Sequence, residues 1–160
     1  MGFGRGLVAT RVIPRGATIA SWTGARIRSR PTYQSVQIGE RAHADDPACL
    51  NLLNHSCAPN TRIHVGHRTI VALRRIEPGA LLTFFYPSTE WRMARPFRCR
   101  CGANPGLARV TGARDVPLSV LRRYPLSAHI RRLKRLQARR RAKATARRGG
   151  GRREGRATRR

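Results

Sequence analysis

No apolar run in the 160 residues approaches the ~18 that a membrane-spanning helix needs. The opening Met-Gly-Phe-Gly-Arg-Gly-Leu has no apolar stretch of signal-peptide length, so the expected location is intracellular. Acidic residues are scarce: seven Asp and Glu stand against 34 Lys and Arg, a formal net charge of +27. Lysine is nearly absent; Lys134 and Lys143 are the two, and every other basic residue is Arg. Cysteine is limited to four, and inside a cell four thiols read as metal ligands or free thiols rather than as a disulfide framework. Cys99 and Cys101, two apart, are poorly placed to bridge each other and well placed to share a metal. No internal repeat is present. Large apolar residues are missing from 138–160, which cannot bury a core and is expected to be disordered, or at most transiently helical, in isolation.

The charge is uneven. Residues 1–120 carry 17 basic and 6 acidic groups; residues 121–160 carry 17 basic and 1 acidic. Such an excess favours contact with polyanions, mainly DNA or RNA, and gives a large counterion-release contribution; it says nothing about fold. A solvated solubility tail is the plainer reading of the same run. The rest has enough mixed sequence for one core. Short β-branched segments between Gly and Pro turns predict a mainly β domain: residues 7–13, Ala17–Trp22, a hairpin of Ile63–Val65 and Thr69–Leu73 around Gly66-His67, and Leu81–Tyr86. Residues 25–48 read as irregular, with a possible strand at Tyr33–Ile38. Leu118–Tyr124 is a short helical candidate ending before Pro125. Leu126, Ile130, Leu133 and Leu136 then form one apolar stripe at helical spacing.

Three blocks occur in order: Gly4-Arg5-Gly6-Leu7-Val8-Ala9-Thr10-Arg11-Val12-Ile13-Pro14-Arg15-Gly16, Asn54-His55-Ser56-Cys57-Ala58-Pro59-Asn60, and Ala72 through Glu77-Pro78-Gly79 to Phe84-Phe85-Tyr86. Together they resemble the SET-domain protein lysine methyltransferases, in a small bacterial-type form. Phe97–Gly102 resembles the start of that family's post-SET Cys segment. The resemblance covers roughly residues 1–106 and divides the chain into a SET domain (1–96), a post-SET-like Cys segment (97–116), a C-terminal helical segment (117–137) and a disordered Arg-rich tail (138–160).

The resemblance implies a fold of small sheets with a pseudoknot-like crossing, and transfer of a methyl group from S-adenosylmethionine to a lysine of a protein substrate. It assigns Gly4, Arg5, Gly6, Trp22, Asn54, His55 and Phe97 to the cofactor, Phe84 and Tyr86 to the substrate channel, and the pore-closing, amine-orienting role to Tyr86. That chemistry suits a narrow apolar bore: lysine must lose a proton although its usual pKa is ~10.4, and desolvation with a sulfonium nearby favours the neutral amine. Cys57, Cys99 and Cys101 form an incomplete zinc set, since Gly106 stands where the family has its next Cys; His129 is a conceivable fourth ligand. Asn51 replaces an Arg common in the family, and the strand that usually precedes the first block is expected to be absent. Expected partners are a basic DNA-binding or ribosomal protein as substrate, and DNA or RNA through 121–160; no membrane contact is expected. Self-methylation is confined to Lys134 and Lys143. The expected location is cytoplasmic, with association to the nucleoid. The competing reading is a catalytically inactive SET-fold module that binds nucleic acid through its basic tail.

Overall fold

The computed structural model describes residues 5–103 and 106–150, with side chains to 146. Gly4 lies outside the described residues. The architecture is a set of small sheets followed by two helices. Strand β1 (Thr18–Ser21) pairs antiparallel with β7 (Thr69–Ala72), which pairs in turn with β6 (Thr61–His64). Burial alternates along both strands, with Thr61 and Ile63 buried on β6 and Ile70 and Ala72 on β7, and puts Ile63 opposite Ile70 on the buried face, as strand periodicity requires. The turn between them takes its left-handed residue at Arg68 (φ 52°), not at the Gly66-His67 step.

Residues 25–48 are more ordered than their sequence suggests. β2 (Arg26–Arg28) and β3 (Val36–Gln37) flank β4 (His43–Asp45) in a second antiparallel sheet. Conversely, residues 7–13 make two isolated bridges, Val8 to Leu81 and Ile13 to Ile76, rather than a strand. β5 (Asn54–His55) runs parallel to β8 (Thr83–Phe84), and β9 (Phe97–Arg98) pairs with β10 (Arg109–Val110). A single turn of 3-10 helix spans Leu50–Leu52 and another Tyr86–Ser88.

Two apolar clusters fill the interior. One gathers Trp22, Leu50, Ile70, Leu82 and Phe84; the other gathers Phe85, Val116, Leu121, Ile130 and Cys57. Phe84 and Phe85 enter different clusters because successive strand residues face opposite sides. Phe85 stacks on Tyr124 with ring centres 3.6 Å apart and planes 7° from parallel. Helix α1 (Leu118–Leu121) and the start of α2 (Ala128–Gly150) close the second cluster through Leu121 and Ile130. The apolar stripe ends at Leu136, yet α2 continues to Gly150 where the sequence suggested disorder from 138. Ala and Arg are good helix formers, and docking of the first turns supplies the nucleus. Residues 151–160 lie outside the described residues. Among the described residues no helix is long and apolar enough to cross a membrane.

Candidate functional site

The Asn54–Asn60 block wraps around the segment that ends in Tyr86. Asn60 does most of the tying: its Nδ2 donates to Leu81 O (2.8 Å), and its Oδ1 accepts from Thr83 N–H (2.8 Å) and the Thr83 hydroxyl (3.3 Å). The Thr61 hydroxyl donates to Thr83 O (2.9 Å), and Ser56 N–H to Phe84 O (3.1 Å). This buried crossing leaves few backbone groups without partners, which is why Asn and Thr, rather than apolar residues, occupy it.

The first block meets the crossing at Gly6 and Arg5. Asn54 Nδ2 donates to Arg5 O (3.4 Å). A Cβ at Gly6 would stand 2.5 Å from Asn54 Nδ2 and 2.7 Å from Leu81 Cδ1, so any side chain here would displace the Asn54 amide or the Leu81 methyl. Arg5, Asn54, His55, Phe84, Tyr86 and Phe97 all line one cleft of about 470 Å³. Three segments far apart in sequence thus converge on one hollow, and Gly6 forms the tight contact behind it. Trp22 does not join them. It is 1% exposed, packed in the first apolar cluster, and absent from the cleft wall, which corrects its expected place beside a cofactor.

Tyr86 presents its ring to the cleft and donates its hydroxyl to Leu53 O (2.8 Å). Burial, with Tyr33 and Glu90 nearby, holds this hydroxyl well above the ordinary tyrosine range, so it stays protonated. Phe84 lies 4.8 Å from the Tyr86 ring, and Phe97 meets both Tyr86 (6.0 Å) and His55 (5.9 Å) edge-on. His55 Nδ1 accepts from Tyr86 N–H (3.3 Å), and burial pushes the ring's pKa down to about 4, so it is neutral at physiological pH.

The other side of His55 faces the thiols. Its Nε2 is 3.4 Å from Cys57 Sγ; Cys57 and Cys99 sulfurs are 3.8 Å apart, and those of Cys99 and Cys101 3.3 Å. All four candidate ligand atoms lie within 4.8 Å of one another. A tetrahedral ion with Zn–S bonds near 2.3 Å spaces its sulfurs by about 3.8 Å, so the donor set fits zinc. Leu107 N–H donates to Cys57 Sγ (3.2 Å) and Cys57 N–H to Cys101 Sγ (3.3 Å), the outer-shell support a thiolate needs. Against burial, N–H groups of Cys57 and Ala103 bring the Cys101 thiol down to about 7. His55, not His129, is the fourth candidate: His129 Nε2 is bound to Thr89 O at 2.7 Å. Ligation through Nε2 moves the ring proton to Nδ1 and costs the bond from Tyr86 N–H. A Cβ at Gly106 would lie 3.7 Å from Cys57 Sγ, so the position that lacks the family's Cys does border the cluster.

Sequence reasoning missed several residues of the cleft. Tyr33 stands on its rim, 70% exposed, with the Arg95 guanidinium 5.5 Å from the ring centre. Asn51 also lines it while bracing the loop behind, donating to Asp45 Oδ1 (2.8 Å) and accepting from Asp46 N–H (3.0 Å). Glu90 forms part of the wall and is buried. Asn51 stood out in the sequence as a departure from the family's Arg, without a role; Tyr33 and Glu90 gave no signal of theirs.

Residues 4–87 match the family model described as SET domain. The chain belongs to the SET-domain methyltransferase family. A curated relative named methyltransferase flvH, from Aspergillus flavus, is 38% identical over 131 residues, spanning 81% of this chain and 72% of the relative. The matched residues include Arg5, Asn54, His55, Phe84 and Tyr86 of the cleft wall.

Proposed function

We propose that the protein transfers the methyl group of S-adenosylmethionine to a lysine side chain of a protein substrate. The observation that carries this reading is Tyr86: a protonated hydroxyl, fixed on Leu53 O at 2.8 Å, standing in a cleft shared with Asn54, His55 and Phe84. Arg5, Asn54, His55 and Phe97 would hold the methyl donor, which supplies an electrophilic methyl on a cationic sulfur. The Asn54 amide, donating to Arg5 O (3.4 Å) and packed on Gly6, sets how closely Arg5 approaches. Phe84 and Tyr86 narrow the bore to an amine, and apolar walls disfavour its ammonium form. Fixing the line of approach contributes as orientation. Cys57, Cys99, Cys101 and His55 would hold a zinc ion that ties the segment after Phe97 to the crossing.

Helix α2 supplies the second half of the reading, contact with nucleic acid. Ten basic and no acidic residues lie between 128 and 150, and side chains 138–146 are exposed. This charge favours contact with nucleoprotein, and basic DNA-binding or ribosomal proteins are the substrates this reading proposes. Lys134 is a poor target for self-methylation, because its Nζ donates to Val116 O (2.8 Å), Arg114 O (3.2 Å) and Gln137 Oε1 (3.0 Å); Lys143 is free of such ties among the described residues.

The test is transfer of tritiated methyl from S-adenosylmethionine to lysate proteins by wild type, Tyr86→Phe and His55→Ala. The expected result is strong labelling of lysine by wild type and about a hundredfold less by either variant. Equal labelling in all three, or none in wild type, removes the reading.

A further inference from the structure

Glu90 is an anomaly in a chain with 34 basic residues. It is 6% exposed, sits on the cleft wall with Tyr86 and Tyr33, and no Arg or Lys among the described residues forms an ion pair with it. The other ion pairs join Arg28 to Asp45, Arg75 to Glu77 and Arg132 to Glu40. A buried carboxylate without a cation is costly, and proteins tend to keep such groups where they have work to do.

Its position is rigid. Glu90 N–H donates to Tyr86 O (2.9 Å), and Glu90 O accepts from Ala113 N–H (2.7 Å). One carboxylate oxygen, Oε1, accepts from Gln37 N–H (2.6 Å) and from the Thr89 hydroxyl (3.5 Å). Gln37 in turn accepts at Oε1 from Trp91 N–H (2.7 Å), so the residue is braced against β3 from both sides. The second oxygen, Oε2, has no donor among the described residues. The brace therefore accounts for one oxygen and leaves the other for a donor that enters the cleft.

We infer that Glu90 is a catalytic residue of the transfer reaction: Oε2 receives the substrate's ammonium group and accepts its proton, so the substrate is a cationic amine. This inference rests on the methyl-transfer reading above. In the step, an N–H bond of the ammonium breaks and an O–H bond forms on Oε2. The freed nitrogen lone pair then forms an N–C bond to the donor methyl as the C–S bond breaks, its electron pair leaving on a neutral thioether sulfur. Tyr86 cannot take that proton while its hydroxyl stays protonated and donates to Leu53 O. Burial pushes the empty-site Glu90 carboxyl up to about 8 against the lowering hydrogen bonds from Gln37 and Thr89, and an arriving cation favours its ionised form.

The test uses the full chain and two cofactor analogues. Sinefungin carries a primary amine where the methyl donor carries its methylsulfonium; S-adenosylhomocysteine carries neither. Calorimetry on wild type and Glu90→Gln measures both affinities. The Gln amide keeps an oxygen for Gln37 N–H, so the brace survives while the charge is lost. Wild type is expected to prefer sinefungin by about tenfold or more, the size of one charge-assisted hydrogen bond. Glu90→Gln is expected to lose most of that preference and to bind S-adenosylhomocysteine as wild type does. The Glu90→Asp variant, which keeps the charge but withdraws it by one methylene, should fall between. An unchanged preference in Glu90→Gln, or none in wild type, overturns the assignment while leaving methyl transfer intact. Failure of wild type to bind either analogue overturns both.

Discussion

Within residues 54–61 the side chains of Asn54, His55, Asn60 and Thr61 all reach partners on other segments, and Ser56 joins the crossing through its amide. Past Gln137, by contrast, helix α2 offers only the Thr145 hydroxyl on Arg141 O (3.1 Å) among its described side-chain hydrogen bonds. The first region specifies its residues by geometry; at the second, charge and helix propensity are enough. Substitutions should therefore be expensive in the crossing and nearly free on the helix, while salt should affect them in the reverse order.

The largest expected effect is at Asn60. Asn60→Ala leaves Leu81 O and Thr83 N–H without partners in a buried crossing. It should lower the unfolding free energy by about 4 kcal/mol, read from the urea midpoint. A loss under ~1 kcal/mol would mean that the crossing is not specified by its hydrogen bonds.

A second contrast is in pH. The Glu90 carboxyl is raised from 4.5 to about 8 in the folded chain, so the folded state holds a proton that the unfolded state has released. Stability then falls as pH rises from about 4.5 to about 8, and levels off above. Thermal unfolding across that range should show a steeper decline in wild type than in Glu90→Gln. Parallel profiles would place Glu90 in water rather than in the wall.

Tyr124→Phe keeps the stacking on Phe85 but removes the hydroxyl that donates to Cys57 O (2.7 Å). A loss of about 1 kcal/mol is expected in chemical denaturation. The smallest effect on stability belongs to Arg139, Arg140 and Arg141 changed together to Gln, under ~0.5 kcal/mol. The same triple change should make the dependence of DNA affinity on salt shallower by about 2.7 in log–log slope, at ~0.9 per phosphate contact. An unchanged slope would remove this part of α2 from any nucleic-acid surface.

Legibility in the sequence follows the same division. The Asn54–Asn60 block and Tyr86 were readable because their side chains serve the crossing and the cleft directly, leaving little choice of residue type. The helix was readable as far as Leu136, where its apolar stripe ends; beyond that, charge gave no clue to its length. Strands β2 and β4 were hidden because each spans three residues, too few for a period to show, whereas β3 falls inside the possible strand read at Tyr33–Ile38. Trp22 was misplaced because an aromatic beside a glycine turn looks alike whether it lines a cleft or fills a core. Glu90 was invisible because the Gln37 N–H that holds its carboxylate is 53 residues away in sequence. His55 was legible as a site residue but not as a neighbour of the thiols, since that depends on where Phe97–Cys101 folds back.

On the methyl-transfer reading, the glycine corner, the Asn-His crossing and Tyr86 enclose a methyl donor. Calorimetric titration of the full chain with S-adenosylmethionine tests it most directly. Saturable one-site binding is expected in wild type, weakened by about tenfold in Asn54→Ala. No binding by folded wild-type protein, or equal binding by the variant, would contradict it.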